Sequence, residues 1–240
     1  MITSVNNERV KRVAKLMTSA KVRKENNLMV LEGERLCSEA PKILELYFTN
    51  NINVKPLISR SAFYEEVTPE VFKKMADTVN PQGVIAVVER PSLSLKINKE
   101  GKYLAFENIQ DPGNLGTVAR TAEALGISGL IVKGVDPYSP KVLRASMGAI
   151  LRLPIIEPED VLSFLAESGK RIVGTVVTKA KSIKEFEFGA DIVLIGNEAN
   201  GLTEKAKEIC DELITIEMTG RAESLNAAAA SSIIAWEMVK

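Results

Sequence analysis

The sequence predicts an α/β protein in two parts: a small N-terminal α/β domain over residues 1–90 and a larger C-terminal domain over residues 102–240 built on a parallel sheet. Three observations point there. At 240 residues the chain exceeds one typical domain and falls short of two large ones. An apolar content of 45% with 26% charged residues describes an ordinary folded chain, neither disordered nor membrane-embedded. From Lys102 onward, short apolar runs alternate with helical patterns, as in a sheet covered by helices on both faces.

The elements follow in order. Val10, Val13, Ala14 and Met17 recur at helical spacing after Asn6 and Asn7, either of which can serve as N-cap, so the chain opens with an amphipathic helix. A strand is expected at residues 28–31. Then GERLCSEAPKILEL reads as helical, LYFT and KPLI as short strands, and VIAVVER as a strand that Pro91 ends. The polar, aperiodic stretch PSLSLKINKEGK supplies a linker over residues 91–101. Beyond it, KYLAFE, GLIV, LPII, RIVGTVV, DIVLIG and ELITI read as strands. NLGTVARTAEAL, SPKVLRASMGAI, PEDVLSFLAESG, TEKAKEIC and SLNAAAASSIIAWEMV read as helices. In such a sheet, ligands sit in the loops beyond the carboxyl ends of the strands.

Composition narrows the chemistry. No apolar run reaches the roughly 20 residues of a spanning helix, and MITSVNNERVKRVAKLM lacks the apolar core of a secretory signal, so the expected location is cytoplasmic. The chain has no histidine, which excludes a Ser-His-Asp arrangement. Cys37 and Cys210 lie far apart without CxxC spacing, so both read as packed or idle thiols and no metal is expected. Net charge is zero, yet residues 1–24 carry Arg9, Lys11, Arg12, Lys15, Lys21, Arg23 and Lys24 against Glu8 alone. Such an excess suits phosphate contacts, with a solvated helix face as the alternative.

Three segments hold unusual residues where the pattern places loops. Residues 108–116, NIQDPGNLG, run from a strand into a helix that carries Arg120. A glycine-rich turn at a helix start presents free backbone N–H groups, although this one has neither GxGxxG nor Walker A spacing. Arg120 lies just under two helical turns from Asn114, so both are expected to project towards similar space. Read structurally instead, Asn114 is a helix cap and Arg120 a surface cation. Residues 196–202, GNEANGL, follow the apolar run DIVLI and hold Glu198 between two glycines, at a sharp turn or as a cap for the helix that begins near Thr203. Residues 216–226, IEMTGRAESLN, precede four alanines and two serines. Small residues there let a helix approach its neighbour closely, inside the fold or between subunits, and Ser224 can be its N-cap.

Together and in this order, these segments resemble the signature of the SpoU (TrmH) family of the SPOUT superfamily, S-adenosylmethionine-dependent RNA ribose 2′-O-methyltransferases. The N-x-G-x-x-x-R element matches residues 114–120, G-x-E-x-x-G-L matches 196–202, and M-x-G-x-x-x-S-L-N-x-x-x-A matches 218–230. Glu217 stands where members commonly have proline. The segment KLMTSAKVRKENNLMVLEGERL is similar to the small RNA-binding domain that precedes the catalytic domain in the ribosomal-RNA branch.

The resemblance implies a deep trefoil knot, a homodimer with a shared active site, and S-adenosylmethionine held at Gly196, Ile216, Met218 and Leu225, to which Thr175 is added. It implies a catalytic role for Arg120, with Asn114, Glu198, Ser224 and Asn226 orienting the hydroxyl, the arginine and the cofactor loop. Because a guanidinium keeps its proton, Arg120 is expected to bind the phosphate beside the target ribose and to stabilise the developing alkoxide, while water or a polarised neighbour accepts the proton. The basic residues Arg9, Arg12, Lys15, Lys21, Arg23 and Lys24 would contact RNA, most simply 23S ribosomal RNA. A transfer-RNA methyltransferase and a noncatalytic RNA-binding or ribosome-assembly protein of the same fold remain as alternatives. A nicotinamide dehydrogenase would need the GxGxxG turn that the chain lacks.

Overall fold

In the computed structural model, which describes residues 1–50, 52–91 and 96–240, the backbone divides into two units. Met1–Ser92 and Tyr138–Arg144 make up the first, Leu93–Pro137 and Ala145–Lys240 the second.

The first unit begins with α1 (Glu8–Thr18), capped by Asn7, whose side chain accepts a 2.9 Å hydrogen bond from the Arg9 N–H. Ser19 caps α2 (Ala20–Asn26), which stops where Asn27 turns left-handed at φ 53°. Next come β1 (Leu28–Glu32), α3 (Glu34–Glu39), β2 (Ile43–Phe48), α4 (Lys55–Ile58), β3 (Ser61–Glu66), α5 (Pro69–Met75) and β4 (Val84–Glu89). The sheet order is β1-β4-β2-β3; β4 runs antiparallel to both neighbours, and β2 and β3 are parallel. Val10, Val13 and Leu16 of α1 and Phe72 of α5 pack on Val30, Tyr47 and Ile85 of the sheet, all buried.

Two elements differ from the sequence expectation here. The helix expected through ILEL ends at Glu39, because Pro41 lacks the N–H that a helix needs, and Ile43–Phe48 pairs with β4 and β3 instead. KPLI is the short helix α4, with proline in its first turn, where its fixed φ suits a helix.

The second unit contains β5 (Tyr103–Ile109), α6 (Pro112–Ala124), β6 (Gly129–Gly134), β7 (Ile155–Ile156), α8 (Val161–Ala166), β8 (Ile172–Thr175), β9 (Lys181–Ser182), β10 (Ile192–Ile195), α9 (Glu204–Glu208), β11 (Glu212–Thr215) and α10 (Ala227–Val239). The helix α7 (Pro140–Ala145) lies between β6 and β7 in sequence, and its first five residues belong to the first unit. The seven strands run in the order β7-β6-β5-β10-β8-β11-β9, and every pairing is parallel. The order reverses between β5 and β10, since the chain builds outward from β5 through β6 to β7 and then returns to the other side. That switch marks where ligands gather in sheets of this class.

The helix expected over residues 139–150 is shorter than its pattern. It ends at Ala145, and Met147 and Gly148 then take φ of 53° and 85°, which no α-helix continues, before a single 3₁₀ turn over Ala149–Leu151. A Cβ on Gly116 would lie 2.4 Å from the Ala145 Cβ, so α6 approaches this turn as closely as only glycine allows. Of the expected linker, residues 92–95 lie outside the described residues. Its later part is not free, because the Lys170 ammonium donates to the carbonyls of Lys99 and Gly101 at 2.7 Å.

Candidate active site

Three loops at the carboxyl ends of β8, β10 and β11 enclose a cavity of about 590 Å³. The loop after β10 is the most constrained. Asn197 and Gly201 exchange backbone hydrogen bonds of 3.0 and 2.9 Å, folding residues 197–201 back on themselves, and Gly201 takes φ of 66° to close the turn. A Cβ on Gly196 would stand 2.2 Å from the Gly201 carbonyl carbon and 2.3 Å from the Leu202 nitrogen. Only glycine fits there, because the obstacle is backbone. The loop after β11 is the opposite case: residues 218–225 make no hydrogen bond among the described residues, so their N–H and C=O groups stay available to a ligand.

A polar relay joins the three segments. The Glu198 carboxylate accepts from the Gln110 and Asp111 N–H groups, both at 3.3 Å, and from the Asn114 side-chain amide at 3.1 Å. The Asn114 carbonyl oxygen accepts in turn from the Asn226 amide at 3.0 Å. The Asn226 oxygen receives the Ala228 and Ala229 N–H groups that open α10. Burial pushes the Glu198 carboxyl up, but these hydrogen bonds outweigh it and hold the group below the ordinary glutamate range.

The relay also settles the capping alternatives. Asp111 caps α6 by accepting from the Asn114 N–H at 2.8 Å, Thr203 caps α9, and Asn226 caps α10. Neither Asn114, Glu198 nor Ser224 is spent as a helix cap. Ser224 is exposed on the cavity lining and has no hydrogen bond among the described residues.

Thr175, Gly196, Ile216, Met218 and Leu225 all line the cavity, as do Glu198, Ser224 and Asn226. The Thr175 hydroxyl donates to the Leu194 carbonyl at 3.2 Å, which ties β8 to β10. Arg120 does not join them. Six residues along an α-helix turn it by about 600°, or about 240° beyond a full circle, so Asn114 and Arg120 point to different sides of α6 and do not share space as expected. Arg120 is exposed, has no partner among the described residues, and lines a separate hollow with Thr117, Thr121, Ser232 and Trp236.

Three residues that no sequence motif marks also join the candidate site. Glu107 accepts from the Thr203 N–H at 3.1 Å and its hydroxyl at 2.5 Å, Asn197 donates to the Asn108 carbonyl at 2.8 Å, and Lys207 lines the cavity. The first two staple the loop after β10 to the end of β5. A carboxylate closing the apolar run YLAF was the available signal for Glu107.

Among the N-terminal basic residues one expectation fails. Arg23 is buried, and its guanidinium donates to the Leu16 and Met17 carbonyls at 2.6 and 3.0 Å, fastening the end of α1 to α2. It is a structural tie and presents no charge to RNA. Arg9 and Arg12 are half-exposed and share Glu45, with the Arg9 guanidinium 4.1 Å over the Phe63 ring. Lys15, Lys21 and Lys24 are exposed, and Lys21 pairs with Glu25 at 3.7 Å.

Burial raises the Cys37 thiol to about 12 and the Cys210 thiol to about 11, so neither is a thiolate at neutral pH. Among the described residues no cluster of three or more His, Cys, Asp or Glu is placed to hold a metal, and no helix is long and apolar enough to cross a membrane.

Comparison with known proteins agrees with this geometry. Residues 101–236 match the SpoU rRNA methylase family, and residues 7–86 match the MRM3-like substrate-binding domain. The chain is similar to RlmP of Bacillus subtilis, a 23S rRNA guanosine 2′-O-methyltransferase, at 30% identity over 99% of this chain and 98% of that one. It is also similar to an uncharacterised tRNA/rRNA methyltransferase of Synechocystis, at 33% identity over 98% and 92% of the two chains. Among solved structures, an AdoMet-bound rRNA methyltransferase from Sinorhizobium meliloti superposes with a TM-score of 0.87 at 30% identity, covering 99% of this chain and 96% of that one. The SpoU methyltransferase AviRb from Streptomyces viridochromogenes, in complex with AdoMet, gives 0.83 at 28% identity over 97% and 98%.

Proposed function

The chain belongs to the SpoU rRNA methylase family, and on that premise we propose that it transfers a methyl group from S-adenosylmethionine to a ribose 2′-hydroxyl of 23S ribosomal RNA. The observation that carries this reading is the single cavity bounded by the loops after β8, β10 and β11, with every residue named for the cofactor on its wall.

The cavity fits the cofactor. Its volume of about 590 Å³ lies within the roughly 300–1,000 Å³ of small-molecule sites. Ile195, Leu202, Ile214 and Ile234 supply apolar walls for a planar base, and residues 218–225 offer unbonded backbone groups for its edge. When bound, S-adenosylmethionine supplies an activated methyl group on a sulfonium.

The protein's own task is then to place the hydroxyl in line and stabilise the charge it develops. Arg120, exposed and without an intramolecular partner among the described residues, grips the phosphate beside the target ribose and stabilises the 2′-oxygen as its proton leaves to water. Glu198, Asn114 and Asn226 fix the two loops that bracket the reacting centre, and Ser224 offers a free hydroxyl at its edge.

Residues 1–90 serve as the RNA-binding domain, 91–101 as linker and 102–240 as the methyltransferase domain, a division supported by the separate family matches at 7–86 and 101–236. The reading includes the trefoil knot, with α10 threaded so that residues 216–226 wrap the cofactor. It also includes a homodimer, which is supported by two exposed apolar residues of α10, Trp236, 58% exposed and lining the Arg120 hollow, and Ile233, 40% exposed. A second subunit covers them and brings Arg120 to the partner's cavity. The enzyme works in the cytoplasm, where its RNA is. Calorimetric titration with S-adenosylmethionine tests the cofactor reading: saturable binding at one site per chain supports it, and no heat of binding sinks it.

A further inference from the structure

Among the described residues, only two charged side chains line the cavity, Glu198 and Lys207. Glu198 is occupied by the relay. Lys207 lies in the last turn of α9, and its ammonium stands 2.7 Å from a Glu204 carboxylate oxygen whose side chain is 84% exposed. Glu204 is solvated and only three residues away on a short helix, so the half-buried Lys207 ammonium gains little from it and can exchange it for another carboxylate at small cost.

The ligand proposed above carries one carboxylate, on its methionine moiety. The apolar walls and the unbonded backbone of residues 218–225 suit its adenosine part, but they offer no cation. A carboxylate drawn into a partly enclosed site needs a charged partner or loses its hydration uncompensated. Lys207 is the cation on the wall, and no other cationic side chain of the same chain lines it among the described residues, while Arg120 of the partner subunit is taken up by the RNA phosphate in the reading above.

We propose that Lys207 binds the carboxylate of the methionine moiety, leaving Glu204 as it does so, and thereby makes affinity depend on the amino-acid tail of the ligand. The inference rests on reading the cavity as the cofactor site. Its test therefore uses two probes that share the adenosine and the neutral thioether: S-adenosylhomocysteine, which keeps the tail, and 5′-methylthioadenosine, which lacks it.

Dissociation constants for both are measured by calorimetry on the full chain, as wild type, Lys207→Met and Lys207→Arg. Wild type is expected to prefer S-adenosylhomocysteine. Lys207→Met should weaken that ligand about tenfold while moving 5′-methylthioadenosine less than twofold, and Lys207→Arg should restore most of the preference. An equal loss for both ligands, or no loss for either, overturns the role of Lys207 and leaves the cavity reading intact. Wild-type protein that binds neither probe overturns the cavity reading, and the lysine with it.

Discussion

The side-chain amides of Asn114 and Asn226 meet in a 3.0 Å hydrogen bond, although 112 positions separate them in the chain. Asn226 is at once the donor of that bond and the N-cap of α10, so one side chain fixes both the start of the last helix and the position of Asn114 beside Glu198. The two duties use different atoms and can be separated. Asn226→Asp keeps the capping oxygen and loses the amide donor, whereas Asn226→Ala loses both. Thermal denaturation should show Asn226→Asp near wild type and Asn226→Ala lower by about 1 kcal/mol, the usual value of a cap. Methyl transfer should fall in both. Wild-type turnover in Asn226→Asp would separate the relay from function.

Acid should undo the loop that Glu198 anchors. The folded carboxyl titrates below its unfolded value, so its contribution is present above the unfolded range and is lost as pH falls through the folded one. Affinity for S-adenosylhomocysteine is therefore expected to be independent of Glu198 titration from neutral pH down to the ordinary glutamate range near 4.5 and to weaken only below it. Glu198→Gln should remove that acid limb. The measurement is calorimetry across pH 3.5 to 7; an acid limb that persists unchanged in Glu198→Gln would assign it to another group.

Two basic residues of the first unit should behave oppositely. Arg23 is buried against two carbonyls, so Arg23→Met should lower the unfolding free energy by about 2–3 kcal/mol, through lost hydrogen bonds to a charged group. It should leave the salt dependence of RNA binding unchanged in any protein that remains folded. Lys15 is exposed, and Lys15→Ala should leave stability within about 0.5 kcal/mol while reducing the slope of log K against log salt by about 1. A slope that Lys15→Ala does not move returns α1 to solvated surface.

Much of the parallel sheet could be read in the sequence because its strands, such as IVLI, are buried on both faces and therefore continuous apolar runs. Pattern and structure part where one residue overrules a run: Pro41 ahead of β2, Pro56 within α4, and the left-handed Met147 after α7. The site was legible as three segments, since glycines and amides at strand ends are conspicuous against apolar runs. Its wiring was not. That Asp111, and not Asn114, caps α6 decides whether the Asn114 side chain can reach Glu198, and no local spacing records that choice. Arg23 shows the same limit, for a basic residue in a basic segment gives no sign that two carbonyls of the preceding helix hold it.

Methylation of a 23S ribosomal RNA ribose by this chain is tested by a map of 2′-O-methyl sites in total RNA from cells with the protein, without it, and with Arg120→Ala in its place. One 23S site should be present in the first, lost in the second, and still missing with Arg120→Ala even though that variant binds S-adenosylmethionine like wild type. Identical maps in the presence and absence of the protein, or a missing site in transfer RNA instead, would contradict that activity.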